Sequence, residues 1–513
     1  MRRQGQELYF VQCQRLRVQY SRFLIDVTLL KMGASVRPQT PFTATRPFAM
    51  VRPGLAASAG FGVLLIYLLA LWSRLQDYVP YLHLPAVLLG LLIVAALLSG
   101  SFVVFIRTPF GRCLLLLTVW MAISIPFSVW MGGSVQFFYN QWLRSLAVAA
   151  ITTGLIWDLR QVRMALGVLA IGAIITAATA LVTFNTVVGR LGGADTRFND
   201  SNDLAQFVLV GMCLWAVYVG RRPKRQIAVA ICAWLAIGTM MVVFLRTGSR
   251  GGLLGAAVVI IELFRQSSVA GKMRMAVIVI AVSALAVVVT PKAVMNRYLS
   301  MFDSDVDSGE EARGSAEGRQ YLLKESLWLT IRHPLFGVGP GMFMVAENDE
   351  AKTQGLARGN WHETHNLYTQ VSSECGIPAL IFYLGAWYYA FRGLKRVRNT
   401  ARSSVEPWLV DAGQIAFWLR MTLVATAASG FFLSVAYMPE LQVLLGLSVA
   451  FATAVEREGA ARMTSAPNFT ARQGTSREST SGVPPRTRSE PGLATPIKPV
   501  IRRPPRPTTR PRW

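Results

Sequence analysis

Twelve apolar stretches divide the chain, at residues 55–72, 84–106, 113–131, 143–157, 164–184, 204–220, 227–245, 252–265, 275–290, 376–391, 413–435 and 438–455. Each is nearly all apolar, unlike a one-sided surface helix or the strict alternation of a half-buried strand. About 20 such residues cross the hydrocarbon core as a helix. A backbone in lipid must satisfy its own hydrogen bonds, so helices are the spanning form these runs support. The pattern predicts an all-α polytopic membrane protein with about 12 transmembrane helices.

One interval breaks the rhythm. Residues 291–374 form a loop of 84 residues between the ninth and tenth stretches. Within it, RQYLLKESLWLTIRHP (319–334) reads as an amphipathic helix, because Leu323, Leu327 and Ile331 recur at i, i+4 and i+8. Pro334 ends it, and GVGPG (337–341) is turn chemistry. Before the first stretch, residues 16–32 have the makings of a short interfacial helix, with Arg17, Arg22 and Lys31 around FLIDVTLL. The first apolar run begins too late for a cleavable signal peptide.

Composition agrees with the pattern. Hydrophobic residues make up 53% of the chain and charged residues only 15%, with mean hydropathy +0.40. A soluble cytosolic enzyme, a disordered protein and a collagen-like fibre are excluded. The net charge of +25 is concentrated at the ends. Residues 1–54 carry nine Lys/Arg against two acids, and residues 456–513 carry twelve against four. Three regions follow: a basic tail over 1–54, a membrane domain over 55–455, and a Pro/Arg-rich tail over 456–513. Such tails are drawn to anionic membrane lipids, and nucleic acid is not an expected partner.

The short loops fix an orientation. Sixteen Lys/Arg fall in five alternate loops, around 107–112, 160–163, 221–225, 265–274 and 392–402. By the positive-inside rule that side is the cytoplasm, and under a twelve-span count both termini share it. The long loop then lies on the periplasmic side. Cys13, Cys113, Cys213, Cys232 and Cys375 are odd in number and widely spaced, which suggests neither a disulfide framework nor a metal knot.

Arginine is scarce in the short periplasmic loops, so each one there needs a reason. In FLRTGSRGG (244–252), Arg246 and Arg250 sit at the membrane face beside glycines and the start of a helix. Two guanidiniums with a helix N-terminus make a site for a diphosphate or similar anion; the plainer alternative is arginines reaching to lipid headgroups. In GRLGGADTRFNDSNDLAQF (189–207), Arg190 and Arg197 precede Asp200, Ser201, Asn202 and Asp203. The last four suit a helix cap, which accounts for them and not for Arg197. In WHETHNLYTQVSSECGIP (361–378), His362 and His365 lie three apart. A neutral imidazole is a natural general base for a sugar hydroxyl. Zinc is the rival, but H-x-x-H lacks the H-E-x-x-H spacing and a third ligand, and a solvated loop histidine remains open. DSDVDSGEEARG (303–314) begins like a calcium loop, but Ser308 and Gly314 stand where Gly and Glu are required. Arg420 lies within a span, close enough to its cytoplasmic end to snorkel.

Four segments together resemble the O-antigen ligase family of bacterial inner-membrane proteins and the related O-antigen polymerases. They are RFNDSNDLA (197–205), TGSRGG (247–252), HPLFGVGPGMF (333–343) and HNLYTQVSSECGIPALIFYL (365–384). The family often has Asn-Pro where this chain reads Asn199-Asp200. The resemblance covers 55–455 and implies a metal-independent glycosyltransferase of lipopolysaccharide biosynthesis without a cofactor. Its donor would be an undecaprenyl-diphosphate-linked glycan. Its acceptor would be lipid A-core for a ligase, or another glycan for a polymerase. Arg250 matches the family's S-R-G position and Arg197 adjoins its Phe-containing motif. On this reading Arg250 and Arg197 stabilise the diphosphate, and His365 prepares the acceptor hydroxyl. Arg246, Arg190, Arg319 and His362 are the expected substrate-binding residues. A lipid-linked glycan transporter or flippase is the alternative of another class, although no internal repeat or mid-membrane polar cluster favours it. A structural assembly factor is the third.

Overall fold

The computed structural model describes residues 54–74, 77, 83–183, 186–187, 190–192, 200–219, 227–301, 310–353, 355 and 362–465. The tails assigned to 1–54 and 456–513 lie largely outside these residues, as do the 16–32 stretch and most of the calcium-like segment. The last helix continues to Ser465, past the assigned boundary at 455.

All twelve apolar stretches coincide with helix. In chain order the helices are α1 (Leu55–Ser73), α2 (Leu84–Leu98), α3 (Ser101–Arg107), α4 (Pro109–Ser124), α5 (Met131–Phe137), α6 (Leu143–Leu155) and α7 (Leu159–Thr183). A two-stranded antiparallel ribbon follows, β1 (Thr186–Val187) with β2 (Arg190–Leu191). Then come α8 (Ser201–Ala216), α9 (Ile227–Arg246), α10 (Arg250–Gln266), α11 (Val269–Val289), α12 (Lys292–Leu299), α13 (Glu310–Arg332), α14 (Phe343–Thr353), α15 (Leu367–Arg402), α16 (Pro407–Ser429) and α17 (Pro439–Ser465). The protein is an all-α polytopic membrane protein.

Among the described residues, seven helices are long and apolar enough to span, or eight if the α2–α3 pair, bent by 78°, is one span. The expected twelve is larger because hydropathy does not register interruptions. The stretch at 143–157 is the second half of a helix broken by a π turn at Phe138–Trp142. Helices α8 and α10 have 16 and 17 residues. The stretch at 376–391 lies inside the 36-residue α15, which breaks at Gly376 with φ 83° and ψ 175°.

The core forms where α1 packs on α2 and α7, α8 on α9, α10 and α16, and α15 on α4, α16 and α13. The break in α15 receives the 334–341 loop as a backbone seam. Val338 N–H donates to Ser373 O and Gly339 N–H to Glu374 O, both at 2.9 Å, and Ile377 N–H donates to Pro334 O at 2.8 Å. Gly339 has φ 109°, and a side chain there would collide with Ser128, so the turn residues read from the sequence serve this close approach.

Helix α13 begins earlier than expected and faces the other way. The Leu323, Leu327 and Ile331 stripe is 39%, 46% and 71% exposed, while Leu322 and Leu329 are each 4% exposed. The inner face is hydroxyl-rich: Ser326 Oγ donates to Thr369 Oγ1 at 2.9 Å and Thr330 Oγ1 meets Ser372 Oγ at 2.9 Å, both on α15. Periodicity finds an apolar stripe but not its counterpart, and in a membrane protein an outward stripe is compatible with lipid contact.

Arg420 pairs through its guanidinium with Glu262 of α10 at 2.9 Å.

Candidate functional site

The site is assembled from two helix N-termini, one helix of the long loop and the segment leading into α15. Asp200 caps α8 by accepting from Asn202 N–H at 2.9 Å. Ser249 caps α10 by accepting from Gly252 N–H at 3.0 Å. These side chains satisfy donors that the helices cannot. Ser249 Oγ also donates to Asn202 Oδ1 at 2.7 Å, so the start of α8 and the turn before α10, far apart in sequence, are bonded to each other.

Two glycines here serve close packing. A side chain on Gly251 would press on Phe432, and one on Gly252 on Ala205, each at 2.9 Å. They let α10 approach its neighbours, and the Gly252 N–H is already engaged by Ser249. Gly248, with φ 63°, makes the turn itself.

Three of the expected arginines converge. Arg190 on β2 donates from Nε to Thr247 O at 3.0 Å, and its side chain lies 3.5 Å from the space above Gly248. Arg250, the first residue of α10, is within electrostatic reach of Arg190. Arg319 of α13 feels Asp200 and Asp203 as well as Arg190 and Arg250. Burial, reinforced by the two arginines and opposed by the two aspartates, holds its guanidinium below the ordinary value. Electrostatic influence links Arg190, Arg250 and Arg319, while Arg246 closes α9. Arg197 lies outside the described residues.

His365 occupies an enforced position. Its φ of 46° is left-handed, which costs free energy for a residue other than glycine. Its N–H donates to Ser434 Oγ at 2.9 Å, and Thr364 Oγ1 meets the same hydroxyl at 3.0 Å. Asn366 then caps α15, accepting from Tyr368 and Thr369 N–H at 2.9 and 3.0 Å. Burial lowers the His365 pKa; Arg319 and His362 lower it further, while Asp200 opposes them. The imidazole is therefore neutral at neutral pH and able to accept a proton. His362 is half-buried in the same segment.

A cavity of about 490 Å³ opens beside His365, with Asp200, Asp203, Glu363, Leu433, Ser434, Val435 and Met438 in its wall. Two of the carboxylates on this wall, Asp200 and Asp203, also act electrostatically on Arg319, which is not itself in the wall. Among the described residues no three His, Cys, Asp or Glu side chains form a group able to hold a metal ion.

Sequence reasoning gave no role to Glu374. It is 4% exposed, and its Oε2 accepts from Gly341 N–H at 3.0 Å, pinning the glycine loop to α15. Burial pushes its carboxyl up to about 8, against hydrogen bonds from Gly341 and from the Tyr437 hydroxyl that pull it down. The signal available in the sequence was a lone acid among VSSECG, which does not by itself announce a buried carboxyl.

Residues 235–384 match the family model described as O-antigen ligase. The match includes Arg246, Arg250, Arg319, His362, His365 and Glu374. No curated protein matches the chain.

Proposed function

We propose, for a membrane protein whose residues 235–384 match the O-antigen ligase family model, a glycosyltransferase that ligates O-antigen to lipid A-core at the periplasmic face of the inner membrane. The donor is a glycan on undecaprenyl diphosphate. The reaction is a displacement at the anomeric carbon: the acceptor oxygen bonds to that carbon while its bond to the diphosphate oxygen breaks. His365 takes the hydroxyl proton. Arg250, Arg319 and Arg190 meet the charge that appears on the departing diphosphate, as preorganised donors do in other transfers. Arg197 keeps its place in this reading as a further diphosphate contact from the 189–207 segment, and Arg246 and His362 as outlying substrate contacts.

The observation that carries the reading is the position of Arg319. It is linked electrostatically to Arg190 and Arg250 and also to His365, which supports a reading in which the groups that bind the anion and the group that accepts the proton act together.

The test expresses Arg250→Ala and His365→Ala in a host lacking its own ligase and separates the surface glycan on a gel. Each correctly inserted variant is expected to lose about 10² or more of its transfer rate. Full ladders from both would overturn the assignment. Polymerised glycan that never joins lipid A-core would move the function to an O-antigen or exopolysaccharide polymerase.

A further inference from the structure

Two aromatic side chains of a membrane span measure how deep the long loop reaches. The apolar helix over Pro109–Phe127 is long enough to cross a membrane. Trp120 lies seven residues before its Phe127 end, about 10 Å along the axis. It donates from Nε1 to Leu335 O and to Cys375 O, both at 3.1 Å. Phe336 stacks on Trp120 and on Phe127, with ring centroids 5.5 and 4.2 Å away. The turn after α13 therefore stands beside the last two turns of this span. Its approach has a direction. Ser326 bonds to Thr369 and Thr330 meets Ser372, so α13 runs parallel to the start of α15. Helix α15 continues along α4 toward the Pro109 end, since Cys375 O meets Trp120 and a side chain on Gly385 would meet Cys113 Sγ at 3.0 Å. Helix α13 thus points into the bilayer.

The turn is built for that depth. Irregular backbone at membrane depth is tolerated only where protein satisfies it. Besides the seam with α15, Val338 O accepts from Val129 N–H at 3.0 Å and Pro340 O from Ser134 Oγ at 3.1 Å. The outward side is apolar: Leu323, Leu327, Trp328, Ile331 and Leu335 are exposed. We propose that α13 and its turn form a re-entrant element whose Leu327, Trp328, Ile331 and Leu335 face is buried in the acyl chains of the leaflet on the long-loop side. Lys324 and Arg332 are exposed beside this face, and Arg332 also pairs with Glu350 at 3.5 Å. Side chains lean toward a helix N-terminus, here toward water, so these cations reach lipid phosphates. The leaflet then anchors the helix that carries Arg319, whatever the reaction at the site.

The experiment introduces Gln320→Cys, Leu327→Cys and Ile331→Cys separately into the full chain. Each is labelled with a membrane-impermeant maleimide in nanodiscs holding one copy, and the wild-type rate is subtracted for the native cysteines. Gln320 is exposed and shares a helix face with Ile331, eleven residues or about 16 Å away, so the comparison reads depth. Ile331→Cys is expected to label at least about tenfold more slowly than Gln320→Cys, with Leu327→Cys between, because a thiol among acyl chains does not ionise. Equal rates at the three positions overturn the proposal. Slow labelling in crowded vesicles that turns fast in single-copy nanodiscs assigns the cover to a second copy, and overturns it as well. Brominated phosphatidylcholine gives a measurement that needs no cysteine variant: it should quench the wild type more than Trp328→Phe, and equal fractional quenching overturns the proposal.

Discussion

Two groups of charges in this protein are arranged differently. Between α10 and α16, Glu262 pairs with Arg420 at 2.9 Å and more loosely with Arg265 at 3.8 Å. Near the long loop, Arg319 is under the influence of Arg190 and Arg250 as well as Asp200 and Asp203, and burial holds it below its ordinary value. The first arrangement lowers the cost of charge within the helices by direct pairing. The second gathers several cations and carboxylates around one half-buried arginine. Both groups hold arginine and acid together; what differs is direct pairing in one and a mixed cluster in the other.

The largest effect should come from Arg319. Arg319→Ala is expected to reduce glycan transfer by about 10²–10³. It should also move the acid limb of the kcat/KM pH profile upward, because the positive charge that helps hold His365 low is gone. Arg319→Lys keeps the charge and should keep the limb in place. A limb unmoved in the alanine variant would separate the two halves of the site.

Glu262→Ala tests the other side of the comparison. Leaving Arg420 without its partner should lower stability by about 1.5–3 kcal/mol, read as thermal unfolding in detergent, while folded molecules keep their transfer rate. Loss of rate without loss of stability would erase the distinction drawn between the two groups.

The last test concerns Glu374, a buried acid that pins the glycine loop to α15. Its folded pKa of about 8 stands above the ordinary 4.5, so the folded state holds the proton more tightly than the unfolded chain. Stability is therefore fullest below 4.5 and is lost as pH rises toward 8. Glu374→Gln should flatten the unfolding temperature across that window. A slope that survives the substitution would assign it to another group.

Much of this was legible along the chain. The apolar runs alone determined an α-helical membrane protein, because no other backbone form satisfies itself in lipid over such lengths. Asp200 and Ser249 could be read as caps from their place before helices, and His365 and Arg250 from their unlikely positions at a membrane face. Their company could not be read. Asn202 and Ser249 are bonded across 47 positions, and Arg319 comes under the influence of Arg190 and Arg250 only in the folded chain. The outward turn of Leu323, Leu327 and Ile331, the packing use of Gly251 and Gly252, and the burial of Glu374 were likewise decided by tertiary contact. Local sequence specifies which faces are apolar and which residues can cap or break a helix. Which neighbour fills each face, and which charges share a cavity, depends on chain segments that meet only when the bundle closes.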